Sequence, residues 1–162
     1  MRSLRVAVLL LVVLAAAVPA FGQGPNLTGE MEARKIIRDE NNREIAVPAE
    51  NVYPHDTVEY TLKYWNSGNA AASGVNLVGP VPAGTVYIDR TATDIDGLDL
   101  LFSIDGGKTY HEYPVTYVVV DEDGREEERV ATPGMISHVK WMMSGTLDVG
   151  QQVSVSYRVQ VK

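Results

Sequence analysis

The stretch TVEYTLKYW, residues 57–65, places apolar side chains at Val58, Tyr60, Leu62 and Tyr64 and polar ones at Glu59, Thr61 and Lys63. Side chains two residues apart share a face only when the chain is extended; a helix would scatter these four around its circumference. The stretch therefore reads as a half-buried strand. QVSVSYRVQVK at residues 152–162 repeats the pattern, with Val153, Val155, Tyr157, Val159 and Val161 on one face and Ser154, Ser156, Arg158 and Gln160 on the other.

Between these two lie shorter candidate strands at 74–78, 85–89, 98–104, 113–120, 127–131 and 136–143, nearly all separated by turn residues. Asp105, Gly106 and Gly107 are suited to turning LLFSI back on KTYHEY, and Asp123 and Gly124 to turning TYVVV back on EERVA. Upstream, RKIIR and REIAV flank Asp39–Asn42 as a further hairpin. EARKIIRDENNRE has helix-forming composition, but Asn41 and Asn42 interrupt it and its apolar residues are few. Many short strands without helices between them predict an all-β chain folded as an antiparallel sandwich or barrel. Proline cannot donate to a central ladder, so Pro80–Pro82 is expected at a sheet edge or in a crossing between sheets.

The N-terminus has a different character. Arg2 and Arg5 precede an apolar run from Val6 to Val18, followed by Pro19, Ala20, Phe21 and Gly22. This order is that of a secretory signal peptide, residues 1–22, whose apolar run from Val6 to Val18 is shorter than the roughly 20 apolar residues a spanning helix needs. Cleavage after Ala20 and cleavage after Gly22 both leave a small residue at the site. No later stretch is apolar enough to cross a membrane. The remainder is the size of one domain, able to bury about two-thirds of its unfolded surface. The chain carries a formal net charge of -7 at pH 7, and loss of the leader's two arginines makes it more acidic. That charge disfavours nucleic acid and anionic lipid as partners. Cysteine is absent, so packing, hydrogen bonds or ions must supply stability in an exporting compartment.

The strings PHDTVEYTLKYWNSGN, VNLVGPVPAGTVYI, SIDGGKTY and VKWMMSGTLDVGQQVSVSYRVQV together resemble an exported prokaryotic surface-repeat family, domain of unknown function eleven. The resemblance rests on Pro54, Asp56 and Thr57, the turn Asn66, Gly68 and Asn69, the segment Pro80, Pro82, Ala83, Gly84 and Thr85, and the late Trp141, Leu147 and Gly150. His55 and Val149 depart from the family pattern, which has glycine and proline there. The family implies an Ig-like β-sandwich over residues 50–162, in a single copy here; residues 23–49 read as a preceding N-terminal extension and hairpin.

Three groups of residues are candidates for chemistry. Asp94, Asp96 and Asp99 in DIDGLD have the alternate-acid, central-glycine arrangement that can turn several carboxylates toward calcium. A full twelve-residue calcium loop would extend to Asp105 through Leu100, Leu101 and Phe102, which read as strand, so the plainer alternative is an Asp-Gly turn between strands. Asp121–Glu128, DEDGREEE, reads as a solvated hairpin tip. His55, His111 and His138 lie in unrelated segments without the close spacing of a zinc site. No nucleophile elbow, metalloprotease helix or phosphate loop is present. Two carboxylates suffice for a glycosidase, however, so an extracellular hydrolase stays open as an alternative. Trp141 shares parity with Val139 and Met143 and is expected in the core; Trp65, opposite in parity to Tyr64, is the better surface residue.

These observations lead to an expectation of an exported, non-catalytic Ig-like module with no cofactor other than calcium. Its role would be structural, adhesive or interactive at the cell surface or in the periplasm, with other proteins or further copies of itself as partners. A filament or surface lattice built by strand addition, with residues 23–30 as the donated arm, is the alternative.

Overall fold

The computed structural model describes residues 24–162, so the expected signal peptide, residues 1–22, lies outside the described part. The twelve strands are β1 (Leu27–Arg38), β2 (Glu44–Pro48), β3 (Thr57–Asn66), β4 (Ala72–Ser73), β5 (Asn76–Pro80), β6 (Thr85–Tyr87), β7 (Leu98–Ser103), β8 (Thr116–Val120), β9 (Glu126–Val130), β10 (His138–Met143), β11 (Thr146–Leu147) and β12 (Gln152–Val161). The sole helical element among the described residues is a 3₁₀ turn at Pro133–Met135. Antiparallel pairing builds a five-stranded sheet, β2-β1-β3-β12-β6, and a three-stranded sheet, β5-β10-β7, with two small ribbons, β11-β4 and β8-β9. The protein is an all-β antiparallel sandwich.

The two alternating strands lie side by side. β12 pairs with β3 from Gln152 opposite Trp65 to Gln160 opposite Thr57, so their apolar faces coincide. Val58, Leu62, Val155, Tyr157 and Val159 are buried, and the facing sheet contributes Leu77, Val139, Trp141, Leu98 and Phe102. Trp141 is fully buried, as its parity predicts. Its indole N–H cannot be left unpartnered in an apolar interior, and it donates to the Thr93 carbonyl at 2.7 Å. Trp65 is half-buried on the outer face, between Thr28 and Gln152.

Tyr157 joins the layers. Its ring stacks on Tyr60 of the neighbouring strand at 5.5 Å and meets Trp141 of the opposite sheet at 6.1 Å. Its hydroxyl donates to the carbonyl of Pro80. Burial pushes the phenol's pKa up, which keeps it a donor. Gly79 faces this ring: a Cβ there would lie 2.4 Å from the Tyr157 Cε1 atom. The glycine in VNLVGP is thus the gap into which the tyrosine fits.

Pro80 and Pro82 stand where the chain changes sheets. β5 is an edge of the three-stranded sheet and β6 an edge of the five-stranded one, so residues 81–84 carry the chain across. Thr85 closes the crossing by donating its N–H and hydroxyl to the Pro82 carbonyl, at 3.1 and 2.7 Å.

Residues 24–49 enter the main sheet directly. β1 turns through Asp39–Arg43 into β2, as the hairpin reading expects, and also pairs with β3 from Leu27 opposite Asn66 to Ile36 opposite Thr57. Leu27–Glu30, read from sequence as part of a donated arm, is therefore already a strand of its own chain's sheet. A sequence reading misses this because β1 alternates weakly: eight of its twelve residues are exposed and the other four are only half-buried.

Its start is held by the turn after β3. The Asn66 side chain is fully buried and makes four hydrogen bonds. Its Oδ1 accepts from the Asn26 and Gly68 N–H groups at 3.1 and 3.0 Å. Its Nδ2 donates to the Ala70 and Leu147 carbonyls at 2.7 and 3.0 Å. Asn69 Oδ1 accepts from the Gly24 N–H at 2.8 Å. A Cβ on Gly68 would stand 2.4 Å from the Asn26 backbone nitrogen. The Asn-x-Gly-Asn turn is a clamp on the chain's first described residues.

Two turns differ from the simplest expectation. LLFSI and KTYHEY form only one bridge, Phe102 to His111, in place of a hairpin. The cause is Asp105, whose carboxylate accepts from the Lys108 and Thr109 N–H groups and from the Ser103 and Thr109 hydroxyls, winding the loop around itself. These donors, the Thr109 N–H foremost, hold the Asp105 carboxyl far below its usual pKa of 3.8. Lys35, Arg43 and Arg158 lower Asp56, Asp39 and Glu44 in the same direction. A depressed folded-state pKa contributes stability that is complete above the unfolded value and lost as pH falls below it. The urea midpoint is thus expected to stay level from neutral pH down to about pH 5 and to drop below about pH 4. Asp105→Asn should be less stable at neutral pH and show a shallower acid decline.

The second turn is at His55, where φ is +73°. Its backbone N–H donates to the Val161 carbonyl at 2.8 Å, which fixes the conformation. A side chain costs about 1–2 kcal/mol in this left-handed region, partly offset by the extra chain entropy that glycine loses. His55→Gly, the residue of the resembled family, is expected to raise stability by about 0.5–1 kcal/mol, read as a higher urea midpoint.

Candidate functional site

The open side of the sandwich lies where β6 and β7, edge strands of opposite sheets, approach each other. Tyr87 of β6 and Phe102 of β7 meet across it with ring centroids 5.5 Å apart. After β6 the chain runs along β12 without forming a regular strand. Ile88 and Thr93 donate backbone bonds to the Arg158 and Ser156 carbonyls, at 2.9 and 2.8 Å. The Thr91 and Thr93 hydroxyls accept from the Arg158 and Ser156 N–H groups, at 3.0 and 2.8 Å. With both threonines tied down, Asp89 and Arg90 bulge outward, Arg90 at φ +57°.

The result is a groove of two adjoining hollows, about 380 and 330 Å³, that share Asp94, Leu100, Phe102 and Tyr113. Its floor is apolar: Leu100 and Phe102 from β7, Tyr87 from β6, and Ala92. Tyr113 forms a wall, edge-on to Phe102 at 5.7 Å. The rim is acidic: Asp89 lines the first hollow, Asp99 and Glu112 the second, and Asp94 both. Arg90 is the one basic residue in the lining among the described residues, 3.9 Å from Asp89. The Asp89 carboxylate raises the pKa of the Tyr113 phenol, and burial raises that of Tyr87, so both phenols are neutral donors at physiological pH.

Asp94 and Asp99 are on this rim, but Asp96 is not. Ile95–Leu98 is a tight turn, closed by the Leu98 N–H on the Ile95 carbonyl at 3.3 Å with Gly97 at φ +86°. Leu98 must drop into the core to begin β7, which leaves Asp96 beside a separate hollow with Met143, Leu147 and Val153. Among the described residues no three acidic or imidazole side chains gather as a metal-ligand set. DIDGLD is an Asp-Gly turn that delivers two of its three carboxylates to a groove.

DEDGREEE forms the tip and outgoing strand of the β8–β9 hairpin, with the Asp121 carboxylate accepting from the Asp123 and Arg125 N–H groups at 2.9 and 2.8 Å. Among the described residues no histidine lines the groove, although the His111 backbone pairs with Phe102 of its floor. His55 is in the turn before β3, His111 contacts the Thr109 hydroxyl at 3.2 Å, and His138 contacts that of Ser137 at 3.2 Å.

No family model, curated protein or solved structure matches this chain.

Asp89, Arg90, Glu112 and Tyr113 escape a sequence reading. They sit on two separate loops, brought together by the contacts of Tyr87 and Tyr113 with Phe102 and of Asp89 with Tyr113. Asp89-Arg90 directly after TVYI was the one local sign, a charged pair where an apolar strand stops.

Proposed function

We propose that this is an exported, non-catalytic Ig-like module with an interaction role at the cell surface or in the periplasm. The carrying observation is the groove between β6 and β7. Its aromatic and aliphatic floor and carboxylate rim suit a ligand with apolar and cationic parts, and among the described residues no imidazole, serine or cysteine lines it. The leader-like residues 1–22 support export. A filament built by strand addition would need β1 to leave its pairing with β3 and the Asn66 clamp, which makes it the costlier reading.

Expression of the full chain in a bacterium with two membranes tests the reading. The protein should be recovered outside the cytoplasm with Phe21 or Gln23 as its first residue. Unprocessed chain retained in the cytoplasm would refute export. Turnover of a glycan or peptide that disappears in Asp94→Asn would refute the absence of catalysis.

A further inference from the structure

We infer that the groove takes an extended, lysine- or arginine-bearing peptide segment of a partner protein, which adds as a strand to the free edge of β7. The inference deepens the interaction reading above.

The edge is open at Leu100. In an antiparallel ladder, successive residues direct their backbone groups to opposite sides. Phe102 directs its groups away from β10, exchanging bonds of 2.8 and 2.9 Å with His111. Leu100, two residues earlier, directs its N–H and carbonyl the same way, and no partner meets them among the described residues. Unpaired groups on an edge strand are a template for another strand. Here the template is short. His111 blocks it at Phe102, and the Leu98 N–H is already held by Ile95. A segment of about four to six residues fits such an edge, so binding is weak and depends on side chains.

The groove supplies those side-chain sites. Alternate residues of an added strand point to opposite faces, so one set meets the floor of Leu100, Phe102 and Tyr87. The others share the face of Asp99, and Asp89, Asp94 and Glu112 stand around the same groove. Four carboxylates against the single Arg90, itself beside Asp89, select a cationic segment and repel an acidic one. Charge also argues against a second copy of this chain. Its most exposed ribbon, β8–β9, carries Asp121, Glu122, Asp123 and Glu126–Glu128.

The test is a titration of the purified protein, followed by amide NMR, with an acetylated and amidated hexapeptide of alternating valine and lysine. Its counterpart of alternating valine and glutamate is the control. The lysine peptide should shift the amides of Leu100, Asp94, Asp99 and Tyr113 and protect the Leu100 amide from hydrogen exchange. The glutamate peptide should do neither. The variant D94N/D99N/E112Q should weaken binding about tenfold or more, and so should high salt. Undiminished binding to a folded triple variant, equal response to both peptides, or shifts confined to other surfaces would overturn the proposal. So would shifts at Asp94 and Asp99 with calcium alone that prevent peptide binding. Should the triple variant misfold, Asp94→Asn and the salt series carry the same comparison. Because the titration is independent of export, it can fail while the localisation result stands.

Discussion

Asn66→Ala is expected to cost about 3–4 kcal/mol, since four hydrogen bonds are broken and their partners, the Leu147 carbonyl buried and the other three part-buried, stay in place. The amide links four parts of the chain: the Asn26 N–H before β1, the Gly68 N–H in the turn, the Ala70 carbonyl, and the Leu147 carbonyl of β11. Water cannot easily replace it, because the side chain is fully buried. A domain of this size is stable by about 5–15 kcal/mol, so the loss is a large share of the total. Urea unfolding should show a lower midpoint with an unchanged slope, and hydrogen exchange should show the greatest loss of protection in residues 26–33. Asn66→Asp should be worse. A carboxylate keeps the two acceptor roles but sets negative oxygen against the Ala70 and Leu147 carbonyls. An aspartate variant as stable as the wild type would mean that Asn66 does not hold the turn as described.

Gly79→Ala is the second large effect, at about 3 kcal/mol or more. The added methyl would overlap the Tyr157 ring. That ring has no room to retreat, because Tyr60 stacks beside it, Trp141 faces it, and its hydroxyl is fixed to Pro80. β5 must therefore shift outward, carrying Pro80 away from the tyrosine hydroxyl. The diagnostic measurement is a double-mutant cycle with Tyr157→Leu. Removing the ring should make the alanine nearly harmless, a coupling of about 2 kcal/mol. Additive losses would show that Gly79 is needed for its backbone conformation and not for the space it leaves. The same substitution at Gly84, where a Cβ meets nothing within 4 Å, tests conformation alone, since φ there is +80°.

The contrast between Gly79 and Asp105 shows how far local pattern reaches. In VNLVGP, the alternation of Leu77 and Gly79 on the buried face is legible, but the ring that requires glycine there lies in β12, at the other end of the chain. At Asp105, the turn residues are legible while the outcome is not. Whether LLFSI and KTYHEY pair along their length depends on one carboxylate's competition for the N–H groups of Lys108 and Thr109. Pairing rules cover backbone with backbone; they do not foresee a side chain that takes the same donors.

The candidate groove was legible to a smaller degree. Asp94 and Asp99 draw notice because they are close in sequence, and for the same reason they suggest calcium, a chemistry that needs neighbouring ligands. Their partners Asp89, Glu112 and Tyr113 carry no such local signature. The groove exists because each sheet ends at a different strand, and only the packing of β6 against β7 brings those two ends together.

The longer alternating strands, the inward faces of β3 and β12, the burial of Trp141 and the crossing at Pro80–Pro82 follow from residue order, because a two-residue period and a missing N–H act within a few positions. Which strands are edges, that β1 completes the larger sheet, and which carboxylates face one another across the opening depend on contacts between segments up to a hundred residues apart, to which no short window of sequence is sensitive.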